Sequence, residues 1–290
     1  MVRFEGNPIL EPIEAHDWES RYVFNTAMVH LGDRIHYFYR AMGDDMVSRL
    51  GYASSKDGCH IDERLPQPVF EPVTSLEKYG CEDPRITVLN GRCYMTYTAY
   101  GDIYQIGITS ISPDDLLGGR WEWGERLYPF PNIKNKNAVI FPRRVYGRYA
   151  MCHRLDPDIH VAFSKDLRIW GESGLVMGPR QGRWDCVKVG AAGPPIEIDE
   201  GWLLIYHGVD TAKPYRLGSA ILDKENPQKV VYRSENPFLE PCEDYERNGW
   251  VPNVVFSCGS VLVGNKLVVS YGGADTVIGV ATFDLTEILA

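Results

Sequence analysis

Apolar and polar positions along this chain follow one pattern that occurs five times. Each copy has an apolar run, a turn glycine, a second run rich in aromatic and β-branched residues, and a third strand-like run that ends in a polar turn. The turn glycines recur at a near-constant spacing and are Gly32, Gly91, Gly147, Gly201 and Gly264. Three such runs joined by short turns form an antiparallel meander. Five meanders in a row predict an all-β fold, a five-bladed β-propeller, since a solenoid, the competing fold, usually has shorter repeats.

Composition and charge narrow the class of protein. The chain has 290 residues, a formal net charge of -9 and 7 cysteines, none of them in a CxxC spacing. No Gly/Ser or Pro linker divides it, so residues 1–290 are predicted to form a single domain. The negative charge argues against nucleic acid or an anionic membrane as a partner, and no apolar run is long enough to span a membrane. The N-terminus lacks a signal-peptide pattern and unpaired cysteines suit a reducing compartment, so we expect a cytoplasmic protein.

A polar residue opens the first strand of each predicted blade, just before the strand becomes apolar. These residues are Asn25, Asp83, Asn137, Lys188 and Asn253. Equivalent positions in a cyclic repeat lie on a ring, so we expect their side chains to converge at one mouth of the central channel. The ordinary alternative is that Asn, Asp and Lys merely terminate strands. Antiparallel pairing returns the end of each second strand to the same mouth, and the polar residues there are Arg40, Thr98, Tyr100, His153, Arg154, Tyr206, His207, Tyr271 and Asp275.

Asp83 is the sharpest candidate for acid–base chemistry. It lies in the segment Glu82–Arg85, where Pro84 is expected to restrict Asp83 to an extended conformation. Arg85, two residues farther along a strand, would point in the same direction as Asp83 and contact the same ligand. The alternative for this segment is an exposed turn with a surface ion pair.

The basic residues of the predicted mouth indicate an anion. Glycoside hydrolysis uses two carboxylates, one to protonate the leaving oxygen and one to activate water or to attack. Here the second carboxylate is replaced by basic residues, namely Lys136 or Lys188, Arg154 and His207. This arrangement suits inorganic phosphate as the nucleophile, because phosphate needs charge-assisted donors and no general base. Arg154 would bind it bidentately and Lys136 would act as a point charge. Solvated loop charges or salt bridges between blades are the ordinary alternative.

In these residues and their order, the chain resembles glycoside hydrolase family 130, which contains mannoside phosphorylases and related mannosidases. The matching blocks run almost from end to end and are Asn7–Leu10, Val23–Asn25, Tyr39–Arg40, Ser55–Gly58, Tyr79–Arg85, Lys136–Asn137 with Phe141–Pro142, His153–Arg154, Gly201–Val209, Asn253–Phe256 and Tyr271–Asp275. The resemblance implies a five-bladed propeller and the inverting phosphorolysis of a β-mannoside to α-mannose 1-phosphate.

The resemblance also implies residue roles. Asp83 would be the general acid and would pass its proton through a hydroxyl of the bound mannose to the glycosidic oxygen. Phosphate would contact Lys136, Arg154, His207 and, as a weaker match, Tyr271, whereas mannose would contact Asn25, Arg40, Lys188 and Asp275, and Asn137 fits either site. From the residues themselves, Arg85 and Tyr206, the latter as an aromatic face for a sugar, join the predicted substrate ligands. Inorganic phosphate is a co-substrate, and no cofactor or metal is expected because no ligand cluster has metal-site spacing.

Three other functions stay open at this point. The general look of the matching blocks favours β-1,2-mannobiose or β-1,2-oligomannan, with a β-1,4-mannoside phosphorylase as the alternative. An inverting mannosidase would keep Asp83 as the acid and use a loop carboxylate, Glu243 or Glu246, as the base for water. A non-catalytic propeller would bind a glycan or protein through a broad exposed aromatic face. The sequence leaves acceptor length, the physiological direction and the formation of a homo-oligomer undecided.

Overall fold

Five antiparallel sheets make up the protein in a computed structural model that describes residues 1–288 apart from the side chain of Glu172. Strands are numbered in chain order, beginning with β1 (Val2–Arg3). Blade 1 contains β2 (Tyr22–Leu31), β3 (Arg34–Met42), β4 (Arg49–Ser55) and β5 (Glu63–Arg64), and blade 2 contains β6 (Gly80–Leu89), β7 (Arg92–Tyr100) and β8 (Tyr104–Ile111). Blade 3 contains β9 (Lys136–Ile140), β10 (Tyr149–Leu155), β11 (Asp158–Ser164) and β12 (Trp170–Met177). Blade 4 contains β13 (Lys188–Ala191), β14 (Ile196–Ile198), β15 (Gly201–Val209), β16 (Tyr215–Leu222) and β17 (Val230–Arg233), and blade 5 contains β18 (Val255–Val263), β19 (Lys266–Gly273) and β20 (Val277–Asp284).

The helices of the described residues are short and lie between blades. They are α1 (Pro113–Leu117), α2 (Asp244–Arg247) and α3 (Leu285–Ile288), with 3-10 turns at Asp17–Glu19 and Ser75–Glu77. None of the helices among residues 1–288 has both the length and the apolar character needed to cross a membrane.

The sheets form a closed ring. Inner strands of successive blades contact each other (β2 with β6, β6 with β9, β9 with β13, β18 with β2), and β16 contacts β18. The strand β1 pairs with β20 and so completes blade 5 with the N-terminal end of the chain. Arg3 of β1 also binds the buried carboxylate of Glu246, with 2.7 Å between Nε and Oε1. The five-bladed propeller predicted from the repeats is therefore confirmed.

Within residues 1–288, five layers of the hydrophobic core each lie between two neighbouring blades, and a small sixth cluster contains Val254, Phe256 and Cys258. In one layer, for example, Val139 of blade 3 and Phe141, which follows the first strand of that blade, pack with Trp202 and Leu204 of blade 4. The other four layers lie between blades 1 and 2, 4 and 5, 5 and 1, and 2 and 3. Because each layer needs both of its blades, a single repeat cannot bury its apolar face alone.

A buried carboxylate held by a tyrosine and an arginine recurs in these layers. In blade 1 the hydroxyl of Tyr39 donates to Glu19 Oε2 at 2.8 Å, and Arg64 Nη2 lies 2.6 Å from the same oxygen. The equivalents are Tyr97 with Glu77 and Arg126 in blade 2, and Tyr206 with Asp185 and Arg233 in blade 4. In blade 5, Glu246 pairs with Arg3, and Tyr271 contacts the hydroxyl of Tyr245 at 2.9 Å. A strand alternates its side chains, so Tyr39 and Tyr206 face one layer while their neighbours Phe38 and Ile205 face the layer on the other side of the blade.

Candidate active site

Bulges in the inner strands turn three polar side chains into the channel. Asn25, Asp83 and Asn137 have left-handed backbones with φ of 48, 51 and 54°, and the pairing register shifts at each of these positions. A bulge re-aims a side chain, and Asn and Asp tolerate the left-handed region better than most residues. The expectation that Pro84 keeps Asp83 extended is therefore wrong, because the bulge imposes a positive φ there.

One cavity of about 210 Å³ contains seven of the residues predicted at the channel mouth. Its lining consists of Asn25, Arg40, Asp83, Lys136, Asn137, Arg154, Tyr215, Val251, Val254, Phe256 and Asp275. Eight different segments contribute these side chains, so they come together only in the folded ring. The apolar residues of the lining were not predicted, since a Tyr, Val or Phe at a strand start carries no polar signal in the sequence.

Asp83 is buried and firmly oriented. Asn25 Nδ2 donates to its Oδ1 at 2.9 Å, and Arg40 Nη1 lies 3.3 Å from the same atom, while no hydrogen bond among the described residues reaches Oδ2. Burial opposes ionisation of the carboxyl, but the positive charges of Arg40, Lys136 and Arg85 outweigh it, so the pKa of Asp83 lies below its usual value. The exposed turn considered as an alternative for this segment is thus excluded.

Lys136 and Arg154 form the cationic wall of the cavity. Burial lowers the pKa of Lys136, although the carboxylates Glu82 and Asp83 act in the opposite direction. Two groups hold Arg154 in place. Asp156 Oδ1 lies 2.8 Å from its Nε, without hydrogen-bond alignment, and His207 Nε2 lies 3.4 Å from its Nη1. The Nη2 atom of Arg154 makes no hydrogen bond with the described residues, so it can donate to an anion.

Asn137 and His207 stand beside this wall. Neither amide atom of Asn137 has a hydrogen-bond partner, although both are buried. A buried amide without partners is costly, which indicates that a ligand supplies them. His207 is fully buried and does not line the cavity. Burial first, and then the charges of Arg154 and Arg85, lower its pKa well below the usual value, so His207 is neutral. It contacts three residues of the lining, namely Arg154, Phe256 and Tyr215.

The remaining predicted residues lie outside the cavity lining. Arg85 is buried in the channel, where it donates to the carbonyl of Asp83 at 2.7 Å and to that of Ala192 at 2.6 Å. Lys188 lies with its Nζ 5.0 Å from the ring centre of Tyr215. Tyr206 and Tyr271 face the layers between blades, as described above. The structure therefore brings Asn25, Arg40, Asp83, Lys136, Asn137, Arg154 and Asp275 together and leaves these four and His207 outside the lining, with their ligand contacts still predictions.

The two loop carboxylates considered as bases for water are not at the cavity. Glu246 is fully buried, and its Oε2 accepts backbone N–H groups of Cys242 and Glu243 as well as Arg3. Glu243 caps the N-terminus of α2. Within residues 1–288, no group of three or more His, Cys, Asp or Glu side chains is arranged to hold a metal ion.

Asp275 is the second carboxylate of the cavity. It follows β19 with a φ of 51° and makes no hydrogen bond with the described residues. Its pKa is raised to about 7, because burial penalises the charged form and Asp83 and Glu82 repel it, which outweighs the opposing effect of Arg40. An unpartnered carboxyl group aimed into a polar cavity is suited to bind sugar hydroxyls.

Asp275→Asn should raise the melting temperature at pH 8 and change it little at pH 4. The folded pKa of about 7 exceeds the usual value of about 3.9, so the free energy of unfolding falls as pH rises between these two values, and a neutral amide removes that loss. Each kcal/mol regained corresponds to roughly 2–4 °C in a chain of this size. Thermal unfolding at both pH values measures the effect, with Asp102→Asn on the exposed surface as the control. A shift of equal size at pH 4 would contradict the assigned pKa.

Comparison with known proteins shows to which family this chain belongs. The glycoside hydrolase family 130 model, described as beta-1,4-mannooligosaccharide phosphorylase, matches residues 1–290. A 1,2-beta-oligomannan phosphorylase and a beta-1,2-mannobiose phosphorylase, both of Thermoanaerobacter sp. (strain X514), are 41% and 42% identical over 99% of this chain and 98% of each relative. The solved beta-1,2-mannobiose phosphorylase of Listeria innocua, in complex with beta-1,2-mannobiose, has a TM-score of 0.87 and 26% identity over 99% of this chain and 97% of that chain. The match over the whole sequence confirms the resemblance seen in the sequence blocks: this chain belongs to glycoside hydrolase family 130.

Proposed function

We propose that the protein is a β-mannoside phosphorylase that cleaves a β-1,2-linked mannobiose or oligomannan with inorganic phosphate and gives α-mannose 1-phosphate, reversibly. The observation that carries this proposal is the position of Asp83 in the same cavity as Lys136, Arg154 and the unpartnered amide of Asn137. An acid and an anion site in one cavity suit a single displacement by phosphate. A non-catalytic propeller, considered above as an alternative, does not account for the buried, unpartnered polar atoms of this cavity.

The chemistry can be written with these residues. A phosphate oxygen bound by Lys136 and Arg154 attacks the anomeric carbon from the face opposite the glycosidic oxygen. As that C–O bond breaks, Asp83 supplies a proton to the departing oxygen. Hydrogen phosphate then gives its own proton to Asp83, which restores the acid. Phosphate also helps to protonate Asp83, because its negative charge offsets the cations that hold the pKa of Asp83 low. Asn25, Arg40 and Asp275 would hold the mannose hydroxyls around the reacting carbon.

The relatives support the β-1,2 linkage, since the two Thermoanaerobacter proteins are named for β-1,2-mannosides. The family model is described for a β-1,4-mannooligosaccharide, so the β-1,4 linkage is the second candidate. The hydrolase alternative is disfavoured because Glu243 and Glu246 do not line the cavity and the cationic wall is present. We also propose a cytoplasmic location, where a sugar phosphate is retained and free cysteines such as Cys242 stay reduced.

The stereochemistry of the product tests this mechanism. With β-1,2-mannobiose and phosphate, α-mannose 1-phosphate should be the first phosphorylated product, because one displacement inverts the anomeric carbon. Proton NMR of the anomeric signals early in the reaction, with and without phosphate, measures this. β-Mannose 1-phosphate as the first product would establish a retaining route, and release of free mannose at the same rate without phosphate would establish a hydrolase. β-1,4-Mannobiose in a parallel reaction decides the linkage.

A further inference from the structure

Arg85 is a buried charge at a position where the other inner strands carry small or apolar residues. It lies two residues after Asp83. The corresponding positions of the other four repeats are Ala27, Val139, Gly190 and Val255. All five positions are buried. Burial of a charged side chain is costly unless hydrogen bonds compensate it, so an arginine found only in the repeat that carries Asp83 indicates a task connected with Asp83.

The guanidinium of Arg85 joins two blades that are not neighbours in the ring. Its Nη1 donates to the backbone carbonyl of Asp83 at 2.7 Å. Its Nε donates to the carbonyl of Ala192 at 2.6 Å, and its Nη2 to that of Ala191 at 3.3 Å. Ala191 is the last residue of β13 in blade 4, and Ala192 follows it. The carbonyl of Asp83 is therefore connected across the channel to the inner strand of blade 4.

Arg85 lies behind the lining of the catalytic cavity and is not part of it. Its Cζ is 5.9 Å from the ring centre of Phe256, which does line the cavity. The side chain is only 1% exposed. An effect of Arg85 on the substrate therefore has to pass through the residues that it holds.

The backbone of Asp83 requires such support. Its φ of 51° lies in the left-handed region, and a side chain keeps that conformation only where the surrounding structure fixes it. Asn25 and Arg40 of blade 1 hold the carboxyl group. Arg85 holds the carbonyl of the same residue. Asp83 is thus fixed at both ends, and only Arg85 acts on its backbone through a side chain among the described residues.

We propose that Arg85 is a positioning residue for the general acid. By holding the carbonyl of Asp83 against the inner strand of blade 4, it fixes the bulge that aims the carboxyl group into the cavity. The inference rests on the proposed role of Asp83 as the acid. Lysine is a poor substitute at this position, because its single ammonium lacks the rigid planar fork that reaches three carbonyls at once.

Arg85→Lys tests this role, because it keeps the buried charge and loses the fork. Its kcat for phosphorolysis of β-1,2-mannobiose should fall by about 10–10²-fold, since a misplacement of about 1 Å can cost 10²-fold. The KM values for mannobiose and phosphate should stay close to those of the wild type. An aryl β-mannoside whose phenol departs without protonation should react at nearly the wild-type rate. An unchanged kcat for mannobiose, or equal losses with the two substrates, would overturn the positioning role.

Arg233→Lys is the matched control. Arg233 is a largely buried arginine that also joins two blades, with its Nη1 2.7 Å from the carbonyl oxygen of Gly178 and its Nη2 2.6 Å from Asp185 Oδ2. It does not line the catalytic cavity. Its replacement should lower the melting temperature but leave kcat for both substrates near the wild-type value at a temperature at which the proteins are folded. A loss on mannobiose as large as that of Arg85→Lys would show a general effect of loosened blades and overturn the inference.

Crystal structures of the variants separate this inference from the proposed function. In Arg85→Met, which donates no hydrogen bond, the carboxyl group of Asp83 should move by more than about 0.5 Å, the tolerance of a catalytic group. If this variant does not fold, Arg85→Lys provides the same measurement. An unmoved Asp83 would overturn the inference even if the wild type is an active phosphorylase. A displaced Asp83, together with a wild type that turns over neither substrate, would support the positioning of Asp83 and overturn the phosphorylase assignment.

Discussion

Asp83→Asn should lower kcat for phosphorolysis of β-1,2-mannobiose by about 10²–10⁴-fold, the usual contribution of a general acid. The amide keeps the shape of the side chain and retains the bonds to Asn25 and Arg40 through its oxygen. It has no proton to give to the departing oxygen. The melting temperature should fall at neutral pH, because Arg40, Lys136 and Arg85 favour the charge that is removed, so kcat is compared at a temperature at which both proteins are folded. Asp44→Asn, on the exposed surface, serves as the matched control and should keep wild-type kinetics.

An aryl β-mannoside with an acidic phenol sharpens the test of Asp83. Such a leaving group departs without protonation, so the loss caused by Asp83→Asn should be much smaller with this substrate than with mannobiose. A purely structural role would reduce both reactions equally. Equal losses, or an activity on mannobiose within about tenfold of wild type, a loss smaller than removal of a general acid causes, would show that Asp83 is not the acid.

Arg154→Ala should raise the KM for phosphate by about 10–100-fold and leave the KM for the mannoside nearly unchanged. A hydrogen bond to a charged group contributes roughly 1.5–3 kcal/mol, which corresponds to this range. Arg154 is nearly buried, and Asp156 and His207 hold it in place. Its contact with phosphate is therefore preorganised, unlike that of a mobile surface arginine.

Initial rates at varied phosphate and fixed mannoside measure this prediction. Arg168→Ala removes an exposed ion pair with Glu125 and should change neither KM, since such pairs contribute about 0–1 kcal/mol. Arg154→Lys keeps the charge but not the planar fork and should fall between the wild type and Arg154→Ala. A phosphate KM unchanged in Arg154→Ala would remove Arg154 from the anion site.

Much of the fold follows from local sequence signals. Gly32, Gly91, Gly147 and Gly264 have φ of 61, 72, 70 and 60° at the turns between the first two strands of their repeats, a conformation that glycine adopts without steric cost. These turns and the alternating runs between them determine the number of blades. The polar residues before the inner strands likewise indicated the mouth of the channel, and the family blocks identified Asp83, Lys136 and Arg154.

The conformation of the inner strands could not be predicted in the same way. A bulge is set by the pairing of two strands and the space in the channel, so Pro84 wrongly indicated an extended Asp83. The orientation of Tyr206 and Tyr271 depends on which face of a strand packs against the next blade, and a shift of one residue reverses it. Their hydrogen-bond partners, the buried Asp185 and the half-buried Tyr245, lie in other segments of the chain.

The sequence by itself determined the repeat, the blade count, the family and the residue types at the mouth, because these depend on short-range backbone preferences and on ordered blocks. Only the tertiary structure decided which side chains meet. The neutral state of His207 and the raised pKa of Asp275 both depend on groups from different blades. Burial and charge act through space, and closing the ring brings together residues that are far apart in the chain.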